Sequence, residues 1–269
     1  MDPLAPLVTR LHAEGRLRVW SLVITVFGDS VQHRGGRIAT ARLSRLLGRI
    51  GIGNSALRTA LSRLASDGWI EGRREGRNSS YCLTRKGSET FGPATARIYA
   101  PPRLGPVTDW VFDAGPDLPG LTVAGGTLRP ADVPQPSGAG FRITGQLSPT
   151  SRQAVIDGLD PDHLTALERL AADLSDLGAI ANPDPLTAAS ARILLIHRWR
   201  RLVLRWPELP AELMPDAITP RDLHAAVARR YATLSPRAEH WFDRGDGDMA
   251  AMPAAAEAFA KRFGGRGLS

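Results

Sequence analysis

Seven polar or basic side chains between residues 55 and 77 have the types and the spacing needed to hold a polyanion. Ser55, Arg58, Thr59 and Arg63 recur at the spacing of one exposed helix face. An arginine on such a face can donate two hydrogen bonds to O6 and N7 of a guanine, and short hydroxyl side chains allow close approach to base edges. We therefore predict base or near-base contacts for Ser55, Arg58 and Thr59, and a phosphate contact for Arg63.

Three more arginines follow at the tip of a predicted β-hairpin. Arg73, Arg74 and Arg77 lie within five positions, around a polar turn at residues 75–78. Guanidinium groups this close repel one another unless an anion lies nearby, and a DNA backbone would supply such anions. Any one of these arginines alone is better explained as a solvated side chain. The DNA-binding interpretation depends on their combination with the preceding helix.

The elements that must position these side chains are helices, a tight turn and a hairpin. The apolar spacing and the glycines predict, in order, a helix over 17–30, a helix over 38–50, a turn at 51–53, a helix over 54–68 and strands at 69–74 and 79–84. On the helix over 38–50 the spacing places Arg42, Arg45 and Arg49 outward. The order helix, turn, helix and basic hairpin predicts a winged helix-turn-helix within residues 38–83.

The positive charge of the chain is concentrated in this region. Residues 1–90 contain 15 Lys and Arg against 7 Asp and Glu, whereas the rest of the chain contains 19 against 20. Such a local surplus is typical of a polyanion-binding module. A hydrophobic share of 43% over 269 residues indicates a globular protein of two or three domains. Since no apolar run approaches the ~20 residues of a membrane span, we expect a cytoplasmic protein without a membrane partner.

Two residues that could suggest a metal or redox site favour plainer explanations. Cys82 is the single cysteine, which excludes an internal disulfide and a cysteine-cluster zinc site. It alternates with neighbours in a predicted strand, as a small packed side chain would. Asp113 ends another predicted strand, but one carboxylate makes a poor two-metal site, and the Gly-Pro pair after it favours a turn-forming aspartate. We predict no metal and no cofactor.

Two further regions follow the basic head. Helical periodicity is lost between residues 91 and 102, and apolar segments at 108–113, 121–124 and 141–144 predict strands separated by loops rich in Pro and Gly. From residue 160 onward, leucines and aromatic residues return to helical spacing, with breaks at prolines. The sequence thus predicts a small strand-containing region followed by a helical one.

Several segments resemble the PaaX-like transcriptional regulators, the repressors of phenylacetic acid degradation. The similar segments are Phe27-Gly28-Asp29, Arg34-Gly35-Gly36-Arg37-Ile38, residues 57–64, Gly68-Trp69, residues 74–81, residues 194–201 and residues 209–215. The likeness is dense over residues 17–91 and returns towards the C-terminus. It implies a repressor that binds double-stranded operator DNA and is not an enzyme.

The resemblance also implies a ferredoxin-like middle domain akin to the CRISPR adaptation nucleases. Its first helix is shortened or absent here, because Phe112-Asp113 leads almost directly through Gly115-Pro116 and Pro119-Gly120 to the next strand. The predicted fold class is therefore α+β multidomain. It comprises an N-terminal winged helix-turn-helix over 1–91, a small, shortened ferredoxin-like α/β middle domain over 92–157, and a helical C-terminal effector and dimerisation domain with a flexible tail over 158–269.

In this family the effector is an acyl-CoA thioester, typically phenylacetyl-CoA, whose binding releases the repressor from its operator. His197 and Arg200 match the family's His and Arg in this helix, and with Arg201 and Arg205 they could place cations beside an apolar pocket. The alternative is structural: the arginines would form ion pairs with nearby glutamates, and His197 would be a hydrogen-bonded interior side chain. The identity of the acyl group stays open.

The leading hypothesis is repression of an aromatic or acyl-CoA catabolic operon by a homodimer whose two heads read two half-sites. The alternative is an enzyme acting on acyl thioesters or nucleic acid, with the basic head used for localisation. The sequence has no G-x-S-x-G motif, phosphate-binding loop or metal-ligand cluster. These absences favour the regulator over the enzyme.

Overall fold

The computed structural model describes residues 2–15, 17–76, 78–114, 118–134, 141–245 and 249–265. This part of the chain is α+β, with α-helices and two small antiparallel sheets. The helices are α1 Ala5–Ala13, α2 Val19–Val26, α3 Thr40–Gly48, α4 Asn54–Ser66, α5 Arg85–Ile98, α6 Pro149–Asp157, α7 Pro161–Ala179, α8 Pro185–Arg205, α9 Leu223–Asp243 and α10 Glu257–Ala260. The strands are β1 Arg37–Ala39, β2 Ile70–Glu75, β3 Asn78–Leu83, β4 Trp110–Ala114, β5 Leu121–Val123, β6 Gly126–Pro130 and β7 Phe141–Gly145.

The first sheet has the strand order β1-β3-β2 and contains the predicted hairpin. Strands β2 and β3 pair over six positions, with Arg73 opposite Ser80 and Arg74 opposite Ser79. The short strand β1 adds to the other edge of β3, with Arg37 opposite Cys82. Strand β1 runs directly into α3, and the hairpin strands β3 and β2 also contact α3 and α4, respectively.

The second sheet has the order β5-β6-β4-β7, and all of its pairs are antiparallel. Asp113 lies inside β4 and is fully buried, where it forms ion pairs with Arg129 of β6 and Arg142 of β7. The prediction of a turn-forming aspartate is therefore wrong. Hydrogen bonds from Arg142 and Arg129 outweigh the effect of burial and hold the pKa of the Asp113 carboxyl below its usual range.

The chain folds into two compact units that do not follow its sequence order. One unit takes residues 1–102, 172–200 and 227–269, and the other takes residues 103–171 and 201–226. In the first unit, α2 is buried on nearly every side, which explains its almost unbroken apolar sequence. Leucines of α3 and α4 pack in the same core.

Three local predictions differ from the structure. Helix α1 was not predicted, although Leu7 and Leu11 are buried in it. The predicted loss of helical structure after residue 91 is wrong, because α5 continues to Ile98 with Pro93 inside it. The predicted helix over 17–30 is α-helical only to Val26 and continues as a π-helical turn over Phe27–Val31.

Candidate nucleic-acid interface

Helices α3 and α4 expose one polar face because their apolar residues are all used in the core. Leu57, Leu61 and Leu64 of α4 are buried. Ile50 and Ile52, in the turn that connects α3 to α4, are buried as well. The opposite face of α4 is exposed and carries the hydroxyl and guanidinium side chains singled out in the sequence. The periodicity of α4 thus separates a packing face from a face that is open to a ligand.

Among the described residues, the candidate DNA-contacting side chains of α4 make local contacts within one or two turns of their own helix. Arg58 is exposed, and its Nε donates to the carbonyl of Asn54 at 3.4 Å. Thr59 Oγ1 donates to the carbonyl of Ser55 at 3.1 Å. Arg63 is 69% exposed and lies 4.0 Å from Asp67, a weak pair one turn along the helix. These side chains can exchange their contacts for a ligand at small cost.

The hairpin carries the second group of arginines. Arg73 is 62% exposed, with its Nη2 3.7 Å from a carboxylate oxygen of Glu71. Arg74 is also exposed, and its Nε donates to the carbonyl of Gly76 at 3.3 Å. Gly76 has a φ of +60°, which a glycine adopts without strain at a hairpin turn. Arg77 lies outside the residues that the structure describes.

A cleft of about 870 Å³ joins the beginning of α4 to the hairpin. Its lining includes Arg58 together with polar residues that the sequence did not single out for this surface, namely Arg37, Asn54, Asn78, Ser79 and Ser80. Ser79 Oγ donates to Thr40 Oγ1 at 2.9 Å, which links the hairpin to the start of α3. The cleft thus combines guanidinium, amide and hydroxyl groups, which are the groups that bind DNA phosphates and base edges.

Arg42 differs from the prediction that it points outward. It is buried, and its guanidinium donates to the carbonyls of Trp241, Arg244 and Ala250 at 2.8, 2.8 and 2.9 Å. The guanidinium also lies 4.8 Å from the centre of the Trp241 ring. Arg45 is exposed as predicted, whereas Arg49 is half-buried and pairs with Asp2 at 2.6 Å. Arg42 therefore fixes α3 to the end of α9 and to the chain that follows it, a contact that local periodicity cannot reveal.

A buried polar cluster centred on Asp29 lies in the same unit. The Asp29 carboxylate accepts hydrogen bonds from Arg192 Nε at 3.0 Å, Arg262 Nη1 at 3.3 Å, Tyr99 Oη at 2.9 Å and Tyr231 Oη at 3.0 Å. Burial would raise the pKa of this carboxyl, but the two guanidiniums outweigh burial and lower it. The cluster connects the end of α2 with α8, α9 and the segment after α10.

The Asp29 cluster continues to a second carboxylate. Glu239 lies 2.6 Å from Arg192 Nη2 and 2.5 Å from Arg34 Nη2. Burial would raise its pKa, but these guanidiniums hold the pKa below its usual range. The ring of His33 lies 3.5 Å from Glu239, and burial lowers the pKa of His33. The buried guanidiniums and carboxylates compensate one another, as buried charges must.

Two family models match the chain on either side of the middle region. The model described as PaaX-like protein matches residues 18–87, and the model described as PaaX-like protein C-terminal domain matches residues 162–244. The chain belongs to the PaaX-like family. The transcriptional repressor PaaX of Escherichia coli is 28% identical over 283 residues, covering 91% of this chain and 90% of the relative. Asp29, Arg58 and Arg74 lie in the N-terminal match, and Arg192 lies in the C-terminal one.

A solved structure of an uncharacterised protein from Mycobacterium tuberculosis is also similar to this PaaX-like chain. It is 19% identical, with a TM-score of 0.45, and the match covers 81% of this chain and 95% of that one.

Among the described residues, no helix is long and apolar enough to cross a membrane.

The four candidate effector residues in the PaaX-like C-terminal match fall into different surroundings. His197 is buried with its Nδ1 3.0 Å from Thr25 Oγ1, and Arg200 donates to the same oxygen at 3.1 Å. Arg201 is exposed. Arg205 is 58% exposed and pairs with Asp162 at 2.8 Å. Its guanidinium lies 4.3 Å from the centre of the adjacent Trp206 ring. His197 and Arg200 therefore share one contact, whereas Arg205 is held by an ion pair.

Proposed function

We propose that the chain is a transcriptional repressor whose residues 38–83 form a winged helix-turn-helix that grips operator DNA. The single observation that carries the proposal is the cleft whose lining includes both Arg58 of α4 and the hairpin residues Asn78 to Ser80. Membership of the PaaX-like family and homology to a named repressor support the same function. The enzyme alternative is set aside, because the family consists of repressors and not enzymes.

Each exposed side chain in this surface has a proposed task. Ser55, Arg58 and Thr59 would contact base edges in the major groove, because they lie on the exposed face at the beginning of α4, the second helix of the helix-turn-helix. Arg63, Arg73 and Arg74 would hold the DNA backbone, since they lie further along α4 or on the hairpin. The same task is proposed for Arg77 from its place in the sequence, because it lies outside the described residues. Short side chains predominate on the exposed face of α4, so this helix can lie close to the base edges of the DNA.

The domain organisation that we propose keeps the winged helix-turn-helix within residues 1–91. A small ferredoxin-like domain over 92–157 would follow, supported by a four-stranded antiparallel sheet with the order β5-β6-β4-β7. Residues 158–269 would form the effector and dimerisation domain. We further propose a cytoplasmic homodimer, because two heads related by a twofold axis would read two half-sites of one operator.

The proposed effector is an acyl-CoA thioester that releases the repressor from an aromatic or acyl-CoA catabolic operon. The cationic groups proposed to hold it are His197, Arg200, Arg201 and Arg205. The neighbouring aromatic ring of Trp206 supports this assignment, because an acyl-CoA needs cations for its phosphates beside an apolar surface.

A mobility-shift titration tests the proposal directly. The protein is titrated onto DNA from upstream of its own gene and onto random DNA of the same length, each at two salt concentrations. We expect tighter binding to the upstream DNA and a loss of affinity with salt, because bound arginines release counterions from the phosphates. Equal binding to both DNAs, or binding that does not depend on salt, would contradict the proposal.

A further inference from the structure

A stretch of chain without polar side chains lines part of the cleft between α4 and the hairpin. Residues 249–256 contain only Met, Ala and Pro, and we call them the apolar segment. Residues 249–253 of this segment belong to the lining of the cleft. Among them, Ala250, Ala251 and Pro253 are exposed. The apolar segment lies beyond the C-terminal family match and presents carbon atoms to whatever occupies the cleft.

Hydrogen bonds from buried side chains hold the apolar segment in place. Arg42 donates to the carbonyl of Ala250 at 2.9 Å. Arg34 donates to the carbonyl of Pro253 at 2.8 Å, and both arginines are buried. The backbone N–H of Ala256 donates to the carbonyl of the residue before Arg34 at 2.8 Å. Because hydrogen bonds from charged donors are the stronger ones, the segment is a fixed wall of the cleft and not a lid.

The other groups that line the cleft fit the phosphates of a DNA strand. Arg37 supplies a guanidinium, and Thr40 and Ser79 supply hydroxyls. No Asp or Glu occurs in the lining as far as the structure describes it. Guanidiniums and hydroxyls hold phosphate oxygens, whereas the deoxyribose carbons between the phosphates gain from burial against apolar side chains. The cleft offers both kinds of surface side by side.

We infer that the apolar segment is part of the DNA-binding surface and packs against deoxyribose rings of the strand whose phosphates meet Arg37, Thr40 and Ser79. This inference rests on the proposed function, because both concern the same DNA. A contact with the sugar carries no sequence information. The segment therefore adds affinity for any duplex, whereas the exposed face of α4 would provide the preference for the operator.

The test places a charge on the apolar segment of the full-length protein and measures DNA binding by mobility shift. Ala251→Lys should tighten binding to upstream and random DNA alike by about fivefold, the effect of roughly one unit charge 4 Å from another in water. It should also steepen the slope of log affinity against log salt concentration by about 1, because one more counterion is released. Ala251→Asp should weaken binding to both DNAs by a similar factor. A misfolded variant cannot produce the gain that Ala251→Lys should show.

Ala254 provides the matched control, because it is exposed on the same segment but lies outside the lining of the cleft. Ala254→Lys and Ala254→Asp should change the affinity by less than about twofold at physiological salt, where charges more than ~8 Å apart are largely screened. Melting curves establish that each variant is folded. Equal effects at the two positions, or weaker binding by Ala251→Lys, overturn the inference. Effects confined to the upstream DNA overturn the assignment to the sugar.

The same titrations separate this inference from the proposed function. If the unmodified protein prefers its upstream DNA but the variants of Ala251 bind like those of Ala254, the inference fails alone. If the protein binds both DNAs equally while Ala251→Lys and Ala251→Asp shift the affinity in opposite directions, the proposed repressor fails and the contact of the apolar segment stands. Absence of binding to either DNA overturns both.

Discussion

Individual arginines in this protein differ sharply in how firmly they are held. Arg192 is completely buried and contacts two carboxylates, whereas Arg58 and Arg74 are exposed and donate to backbone carbonyls at 3.4 and 3.3 Å. Hydrogen bonds of this length are weak, and water or a phosphate can replace them. Burial therefore separates the arginines that stabilise the fold from those available for DNA.

The first prediction at this scale concerns the separate tasks of Arg58 and Arg74. Arg58→Ala should reduce the free energy of binding to the operator by about 1–3 kcal/mol and that to random DNA by less, because a base contact is lost. Arg74→Ala should weaken binding to both DNAs and reduce the slope of log affinity against log salt concentration by about 1. Mobility shifts at several salt concentrations measure both effects, with Arg169→Ala on the exposed face of α7 as control. If Arg74→Ala altered sequence preference alone, its assignment to the backbone would be wrong.

A second prediction concerns Asp29. Asp29→Asn removes the carboxylate charge that Arg192 and Arg262 face, and their guanidiniums would then be incompletely compensated in the interior. We expect the free energy of unfolding to fall by about 3–5 kcal/mol, the usual effect of removing one partner of a buried ion pair. Urea denaturation followed by circular dichroism measures the loss. Asp216→Asn, at a side chain 96% exposed, is the control and should change the stability by less than about 1 kcal/mol.

A third prediction follows from the pKa of His163. The ring of this side chain is buried and stacks on Trp206 with centroids 5.0 Å apart. Burial lowers its pKa to about 4. A histidine in the unfolded chain binds its proton near pH 6.5. Between that pH and 4 the unfolded state is protonated and the folded state is not, so the free energy of unfolding falls as the pH is lowered through this interval. The limiting slope for one proton is about 1.4 kcal/mol per pH unit.

The variant His163→Gln should remove this dependence while leaving the other titrations in place. The free energy of unfolding is measured in urea at several pH values between the two pKa values, for the variant and for the unmodified protein. The curve of the variant should be flatter in that interval. His240→Gln, at an exposed position on α9, is the matched control and should retain the full slope. Parallel curves for His163→Gln and the unmodified protein would show that His163 does not contribute to the pH dependence of the stability.

At the scale of elements, the sequence predicts best where one face of an element is packed and the other is solvated. Helix α4 and the hairpin of β2 and β3 lie within one or two residues of their predicted bounds, because their patterns are local. Arg42 was misplaced because its partners are carbonyls about 200 positions later in the chain. Helix α5 was missed because Pro93 and its glycines resemble a break, whereas the helix is capped by Thr84 Oγ1, which accepts from Gly87 N–H at 3.0 Å, and it continues through Pro93.

The turn between α3 and α4 provides a prediction about one element. Gly51 has a φ of +83°, and an added Cβ would lie 3.2 Å from His12 Nε2. Gly51→Ala should destabilise the protein by about 1–2 kcal/mol, the cost of a left-handed residue with a side chain. Gly48→Ala, at the helical end of α3 with no atom within 4 Å of the added Cβ, should be neutral or stabilising. Thermal unfolding of the two variants compares them, and equal melting temperatures would contradict the argument.

At the scale of the whole molecule, local patterns could not predict which distant segments come together in one core. Three separate stretches of sequence form the first unit, and the Asp29 cluster gathers residues from positions 29, 99, 192, 231 and 262. Sequence spacing reports which residues share a face of one element, but it does not report which distant charges meet. The candidate effector residues illustrate the same limit, because His197 and Arg205 have different surroundings although they lie on one helix.

The proposed homodimer leads to a prediction about its operator. Two identical heads on a twofold axis reach the same side of the DNA only if the half-sites are a whole number of helical turns apart, about 10 bp each. Inserting ~5 bp between the half-sites should rotate one of them to the opposite side and leave only single-head binding, whereas inserting ~10 bp should restore much of the affinity. A single half-site is the control and should bind as weakly as the 5-bp insertion. Titration of these DNAs at one salt concentration decides the matter, and equal affinity for all of them would mean that each head binds DNA independently.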